Sequence, residues 1–482
     1  MKRLKKQNVT AKFTLFAGAT TLLAFTPTGQ AQTSVDALLN KLEQKGILTV
    51  DEAKELRAEN QQDSAADINK AINAKFPMPD WVVSYKLYGS FRGRFDDELT
   101  DNPGVPDPSD PTKGLSGQSR VRWRYRLLAG LEVNMKNDLQ VGFRIGSGDS
   151  GSPLSSNQTM QDNASNKSIW IDTAYGRWTA INNQVCSLAA TIGKMDQPFQ
   201  VSPMVFDADY MPEGAALQAK YNITDAHSIA INGGAFVLDE VKGSARDPYI
   251  TGAQAIWNAN WTSRIATSLG FAAFDIVNPG ALGLSGFPAN SANYNPGGVP
   301  NSNQGNTYNS STGNLVYNYN PIIASASTTY TLDTFPLYRG KFPIKFSGEY
   351  MYNGGADPAK GDANNVGWWA GVQLGKSGKQ GMWDIFYRYQ YLEADAWYDN
   401  LVDDDNVAFY SNTTLTQPLN GWAGGTNIKG HLVKCNYSLT DALTFSFTAY
   451  VNELINPNQN VGSVGQPKNN ALHVMADLMW KF

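Results

Sequence analysis

The 482-residue chain carries 39 basic against 43 acidic side chains and 2 cysteines. That balance argues against a nucleic-acid partner, which favours a basic surface, and so few thiols imply neither a disulfide framework nor a cysteine metal site. No stretch beyond the N-terminal segment has the ~18 consecutive apolar residues of a transmembrane helix, whereas a low mean hydropathy fits a barrel whose strands turn alternate residues to lipid.

The first residues read as an export signal. Lys2, Arg3, Lys5 and Lys6 form a basic head, and Phe13 to Phe25 form an apolar stretch too short to span a bilayer. Gly29-Gln30-Ala31 offers small residues at the cleavage-determining positions, so residues 1–31 are expected to leave and the mature chain to start at Gln32. The signal takes five basic residues with it, leaving 34 basic against 43 acidic and a net of −9. The N-terminal part of the mature protein is then periplasmic and the rest lies in the outer membrane.

Residues 32–80 differ from everything after them. Val35, Leu38, Leu39 and Leu42 recur at helical spacing behind Ser34 as N-cap, and Lys45-Gly46 ends that helix. Thr49 and Glu52 form a capping box for a second helix carrying Ala53 and Leu56. A coiled coil between subunits and a small monomeric hairpin fit this pattern equally well. No linker divides the chain after residue 80.

From Trp81 the period becomes two. Leu472, Val474, Ala476, Leu478, Trp480 and Phe482 alternate with His473, Met475, Asp477, Met479 and Lys481. Candidate strands follow near 82–94, 119–134, 139–146, 168–181, 185–195, 214–224, 228–239, 249–261, 263–276, 315–332, 343–354, 365–376, 382–395, 427–440, 443–454 and 471–482. Connections alternate between short ones, such as Lys136-Asn137-Asp138, and long polar ones, the largest being 95–118, 147–167, 277–314, 397–426 and 455–470. Short turns on one side and long loops on the other are the asymmetry of an outer-membrane barrel. Strands crossing a bilayer must also close into a ring, because an open edge leaves amides unsatisfied in hydrocarbon. The expected fold is all-β: a transmembrane antiparallel β-barrel of about 16 strands over 81–482, preceded by a short N-terminal helical segment. Cys186 and Cys435 fall in strands far apart in this order, which disfavours a bridge. Tyr387, Tyr389, Tyr391, Trp480 and Phe482 are candidates for interfacial girdles.

Register assigns the lumen. With Val121, Trp123, Tyr125, Leu127, Ala129, Leu131 and Val133 toward lipid, Arg120, Arg122, Arg124, Arg126 and Glu132 point inward. Val83, Tyr85, Leu87, Gly89 and Phe91 outward leave Lys86, Arg92 and Arg94 inward, the third strand adds Arg144, and Asp384 and Arg388 complete the expected pore lining. An arginine at the lipid midplane costs about 2–4 kcal/mol, which favours the inward side. Two readings of this basic wall stand level: a surface that lowers the barrier for anions, or a salt-bridged wall that keeps the lumen wet. Acids expected in loops, namely Asp96, Asp97 and Asp101 in the first and Asp403, Asp404 and Asp405 in the seventh, could bind divalent ions, screen the mouth or be solvated surface. The 277–314 segment is long enough to fold back as a constriction or to cover the outside.

Chemistry is not indicated. Gly146-Ser147-Gly148-Asp149-Ser150-Gly151 matches a phosphate-loop spacing but leads into a polar loop. His227, His431 and His473 have no Ser or acid at triad spacing, and no metal-ligand cluster is visible. No cofactor, metal or catalytic residue is expected.

The run Leu38-Leu39-Asn40-Lys41-Leu42, Lys45-Gly46-Ile47-Leu48-Thr49, Asp51-Glu52-Ala53, the Arg-rich second strand and the aromatic strand ending at Phe482 resemble a family of outer-membrane porins of Gram-negative bacteria. The resemblance covers nearly all of the mature chain and implies homotrimers, contact with outer-membrane lipid and lipopolysaccharide, and passive diffusion of small hydrophilic solutes or ions. Similar N-terminal segments occur in phosphate-selective porins, which implies anion preference, although no loop lysine cluster here maps onto a phosphate site. A structural or adhesive barrel that anchors the envelope or binds a partner through its loops is the rival reading.

Overall fold

Long runs of alternating apolar and polar residues leave a strand in bilayer one arrangement, with the apolar face to lipid and every amide paired to a neighbour. The computed structural model describes residues 79–100, 106–107, 110–114, 118–148, 152–241, 245–282, 304–309, 312–357, 364–411, 420–456 and 470–482. The expected signal peptide, the helical segment over 32–78, Asp101 and Asp149 to Gly151 lie outside them.

Sixteen strands carry the wall: β1 (Val82–Thr100), β2 (Gln118–Met135), β3 (Leu139–Ser147), β4 (Ile169–Asn182), β5 (Cys186–Lys194), β6 (Glu213–Asn222), β7 (His227–Val237), β8 (Tyr249–Asn260), β9 (Ile265–Val277), β10 (Pro321–Leu332), β11 (Phe342–Asn353), β12 (Val366–Gly375), β13 (Trp383–Leu392), β14 (Ile428–Ser438), β15 (Leu443–Leu454) and β16 (Asn470–Lys481). Each pairs antiparallel with its sequence neighbours, and β1 also pairs with β16 from Ser90↔Lys481 to Thr100↔Ala471. The sheet is closed. The Phe482 carbonyl accepts the Gly89 amide at 2.9 Å, carrying the seam to the last residue.

Outward side chains form an apolar band: Leu87, Ile192, Phe346 and Leu217 are 80%, 69%, 59% and 57% exposed. The turns at one end are short and internally capped. Thr224, Thr262 and Thr440 each accept two amides with Oγ1, and the Asn183 Oδ1 does the same for Val185 and Cys186. Such side chains supply the acceptors that a two- to four-residue turn lacks. Asn137 and Asp138 adopt left-handed φ of 64° and 57°, which Asn and Asp tolerate better than most residues.

All sixteen expected strands are present, and the differences lie at their long-loop ends. β1 runs on to Thr100, so Asp96 and Asp97 belong to a strand and not to the first loop, and Asp96 is fully buried. β10 starts at Pro321, because Leu315, Tyr317 and Tyr319 leave the wall and are buried inside. β13 stops at Leu392, since the following Ala394 to Trp397 turn inward and are inaccessible.

The interior is not an open tube. Long-loop-end segments 195–212, 304–309 with 312–319, and 393–408 pack within the ring against inward residues of β6 to β13. Phe199, Phe206, Trp397, Leu401 and Val402 meet Phe236, Ile250, Phe274, Ile276, Ile323, Met351 and Leu392 in one buried cluster. Phe206 stands edge-on to Trp397 at 5.9 Å and to Phe274 at 5.3 Å, and Phe199 edge-on to Phe274 at 4.9 Å. Where these segments cover them, the strands carry apolar residues on both faces because both faces are dry there.

Candidate functional site in the barrel lumen

The opposite inner wall, β1–β2 and β13–β16, carries the charge. Across β1 and β2 the register sets Arg92 opposite Arg126 and Arg94 opposite Arg124, like charges that repel unless compensated. Compensation comes from the wall and from the inward segments. Arg94 donates to Asp477 at 2.8 Å and to Asp405 at 3.0 Å. Arg126 pairs with Asp209 at 2.8 Å. Arg124 and Arg122 each reach Asp96 at 3.1 Å, and Arg122 also contacts Glu98. Arg120 lies 3.7 Å from Glu98, and Arg144 binds Asp172 and, at 2.9 Å, Asp196. Arg388 pairs with Asp403 at 3.2 Å, in space left by the missing side chain of Gly371, where a Cβ would fall 2.9 Å from that of Arg388.

Lys86 binds Glu132 at 3.2 Å nearer the short-turn end, where Asp384 accepts from Asn436 at 2.8 Å and from the Ser377 amide at 2.9 Å. Arg92 differs from the other β1–β2 arginines. Its bonded partner is the neutral Asn157 carboxamide, at 2.6 Å, and among the described residues no carboxylate pairs with it. His473 holds Asp96 through Nε2 at 3.0 Å and the Asp405 carbonyl through Nδ1 at 2.7 Å, tying the 393–408 segment to the β1–β16 seam.

The inward segments are fixed by polar bonds as well as by packing. Gln254 exchanges two bonds with the Gln200 backbone, at 2.9 and 2.8 Å, and Glu349 accepts the Ser202 amide at 3.2 Å. Trp397 donates Nε1 to the Val205 carbonyl at 2.7 Å, and the Asp403 amide reaches the Pro203 carbonyl at 2.9 Å. Asp399 accepts the amides of Gln304 and Asn306 at 2.8 and 3.1 Å, and Asp395 accepts that of Thr307 at 2.8 Å. Burial pushes the Asp395 and Asp399 carboxyls up to about 6.

Asp207, Asp403 and Asp404 converge, one oxygen from each lying within 4.8 Å of the others. Burial, then the neighbouring carboxylates, push Asp207 and Asp404 well above the usual range. Burial would raise Asp405 too, but Arg94 and then His473 hold it well below that range. In the acidic run 403–405, for which solvated surface was one reading, Asp403 is thus a buried partner of Arg388 and Asp405 a half-buried partner of Arg94.

Residues 53–318, over half of the chain, match the family model described as "Putative porin". The chain belongs to this porin family. Among solved structures it is similar to OprB of Pseudomonas putida, at 12% identity over 83% of this chain and 94% of that one with a TM-score of 0.47. OpdQ of Pseudomonas aeruginosa matches at 9% identity, 84% and 99% coverage and a TM-score of 0.37. A mutant of Rh. blastica porin matches at 10%, 83% and 100%, and 0.38. No curated protein matches. The family and the closed barrel place the chain in the outer membrane as a channel protein.

Between the arginine wall and the acids of the inward segments the porin keeps a cavity of about 520 Å³. Its charged side chains are interspersed with Trp369, Phe386, Leu432, Met475 and Met479. Sequence reasoning missed two contributors. The 195–212 segment was not among the largest loops, although Phe199, Met204, Val205 and Phe206 are too apolar for a solvated connection. Lys434 alternates with exposed Val433 on β14 but belongs to no run of basic residues at period two.

Proposed function

We propose that this porin passes small hydrophilic solutes by passive diffusion through the lumen left beside its packed inner segments, and that it prefers anions. The observation that carries the preference is uncompensated positive charge. Arg92, Arg177, Lys220, Lys345 and Lys434 alternate with lipid-facing neighbours and so point inward, and among the described residues none pairs with a carboxylate. Apart from Arg92, the arginines that suggested a basic wall are matched by acids and add little net field. In a water-filled passage, charge left unmatched sets the barrier for permeating ions. The short-turn end faces the periplasm, the long loops face outward, and the apolar band meets lipid and lipopolysaccharide.

The test is the reversal potential of single channels in planar bilayers under a KCl gradient. Wild type is expected to favour chloride, and Arg177→Gln with Lys220→Gln and Lys345→Gln to move the potential toward potassium. A potassium preference in wild type, or an unmoved potential in the triple variant, overturns anion selectivity. A correctly folded barrel without stepwise currents overturns the pore and leaves the structural barrel.

A further inference from the structure

The cavity is lined by charged and apolar side chains together. Arg92, Arg94, Arg126, Arg388 and Lys434 line it together with Asp207, Asp209, Asp403, Asp404, Asp405 and Asp477. Arg94 is taken by Asp405 and Asp477, Arg126 by Asp209 and Arg388 by Asp403. Among the described residues, the two lining cations without an acidic partner are Arg92 and Lys434. The register row of Lys434 runs through Phe386 on one side and through Thr448 to Met475 on the other, while Arg92 sits opposite Met479. Trp369 stands edge-on to Phe386 at 6.3 Å, and Phe386 packs on the buried Leu432, Tyr450 and Met475. Apolar side chains aimed into a wet lumen leave surface that water solvates poorly, and a solute with an apolar body covers it.

We propose that this cavity is a binding station for small carboxylates that carry an aromatic ring or a short aliphatic body, the carboxylate going to Arg92 and Lys434 and the body to the Phe386–Trp369–Met475 wall. The inference rests on the pore reading for access and on its own geometry for the ligand. Its size matches: pockets of 300–1,000 Å³ hold whole drug-sized ligands, so a one-ring acid fits with some of its water. Neither half of the site suffices for retention. A bare carboxylate gains the cations but covers no apolar surface, and a ring with an ammonium meets Arg92 and Lys434 as like charges.

Two measurements on the full barrel separate this inference from the pore reading. The first is binding of phenylacetate to detergent-solubilised protein by titration calorimetry, with acetate and benzylamine as matched probes. The second is interruption of single-channel KCl current by the same three compounds. Phenylacetate is expected to bind at least tenfold more tightly than acetate or benzylamine and to interrupt the current, and Lys434→Gln and Phe386→Ala each to weaken it about tenfold, with folding checked by heat-modifiable mobility. Equal affinity for phenylacetate and acetate, stronger binding of benzylamine, or unchanged binding in Lys434→Gln overturns the station while stepwise currents leave the pore standing. Binding without any current overturns the pore and keeps the station.

Discussion

Trp397 tests whether the inner segments or the wall set the width of the lumen. Its ring is fully buried between Phe206 and Phe274, and Nε1 donates to the Val205 carbonyl at 2.7 Å. Replacing a buried Trp by Ala costs about 3–5 kcal/mol, and the orphaned Val205 carbonyl adds about 1 kcal/mol. Trp397 belongs to no wall strand, so the loss falls on docking of 195–212 and 393–408, while the ladders that close the ring keep their bonds. At 1.4 kcal/mol per tenfold, about 4 kcal/mol raises the local opening equilibrium on the order of a thousandfold. Single channels of Trp397→Ala are therefore expected to show larger, noisier conductance, and residues 393–408 to become cleavable by protease from the long-loop side, with strand content unchanged. Trp397→Phe keeps most of the apolar contact and loses the indole bond, so its opening should increase about tenfold. Wild-type conductance, noise and protection in Trp397→Ala would refute the idea that these segments set the passage.

Arg388→Met leaves Asp403 buried without its cation and is expected to cost about 3–5 kcal/mol in urea unfolding from detergent; Arg388→Met with Asp403→Leu should recover most of it. Asp395 and Asp399 sit near 6 against an ordinary 3.8, so the docked state holds protons that the released segment gives up. Their burial therefore weakens docking as pH rises from 4 to 6 and leaves it strongest in acid, by up to about 3 kcal/mol per group. Hydrogen exchange at Gln304, Asn306 and Thr307, corrected for intrinsic rates, should show greater protection at pH 4.5 than at pH 7.5, and the opposite order would count against the burial argument. Ile231 faces lipid on β7, and Ile231→Arg is expected to lower folding stability in liposomes by about 2–4 kcal/mol; no change would put that face elsewhere. Asp209→Asn frees Arg126 beside Arg92 and should move the reversal potential toward chloride, Arg126→Gln should move it the other way, and the double variant should return near wild type.

How much could be read in advance depended on whether a residue's partner lay on its own strand. The sixteen strands were legible because period two and paired turn lengths are local signals, and Thr224, Thr262 and Thr440 sit where turns need a capping hydroxyl. Arg120 to Arg126 announced an inward wall for the same reason. Part of their neutralisation comes from Asp96 and Glu98 on the neighbouring β1, but Asp209 reaches Arg126, and Asp405 and Asp477 reach Arg94, from segments 83, 311 and 383 residues away, and chain order carries no record of such pairings. The inward loops left a signal that went unused. Strands such as Gly270-Phe271-Ala272-Ala273-Phe274 are apolar on both faces, which a wall between lipid and water does not require.

Half of the inner surface is dry and half charged, and this divides labour in a way that counting arginines does not. A sixteen-stranded ring is wide enough for an open aqueous channel, so its free cross-section depends on how firmly the inward segments hold to β6–β13. That hold is made of apolar area and neutral hydrogen bonds, which ionic strength barely touches. Selection then falls to the charged side chains. Matched charges on β1–β2 and β13–β16 stay fixed in place, and the unmatched cations, Arg92 and Lys434 there and Arg177, Lys220 and Lys345 on β4, β6 and β11, carry the field. Substitutions around Phe274 should consequently alter current amplitude and noise at constant ion preference. Those at Arg92, Lys434 or Asp209 should alter preference at nearly constant amplitude.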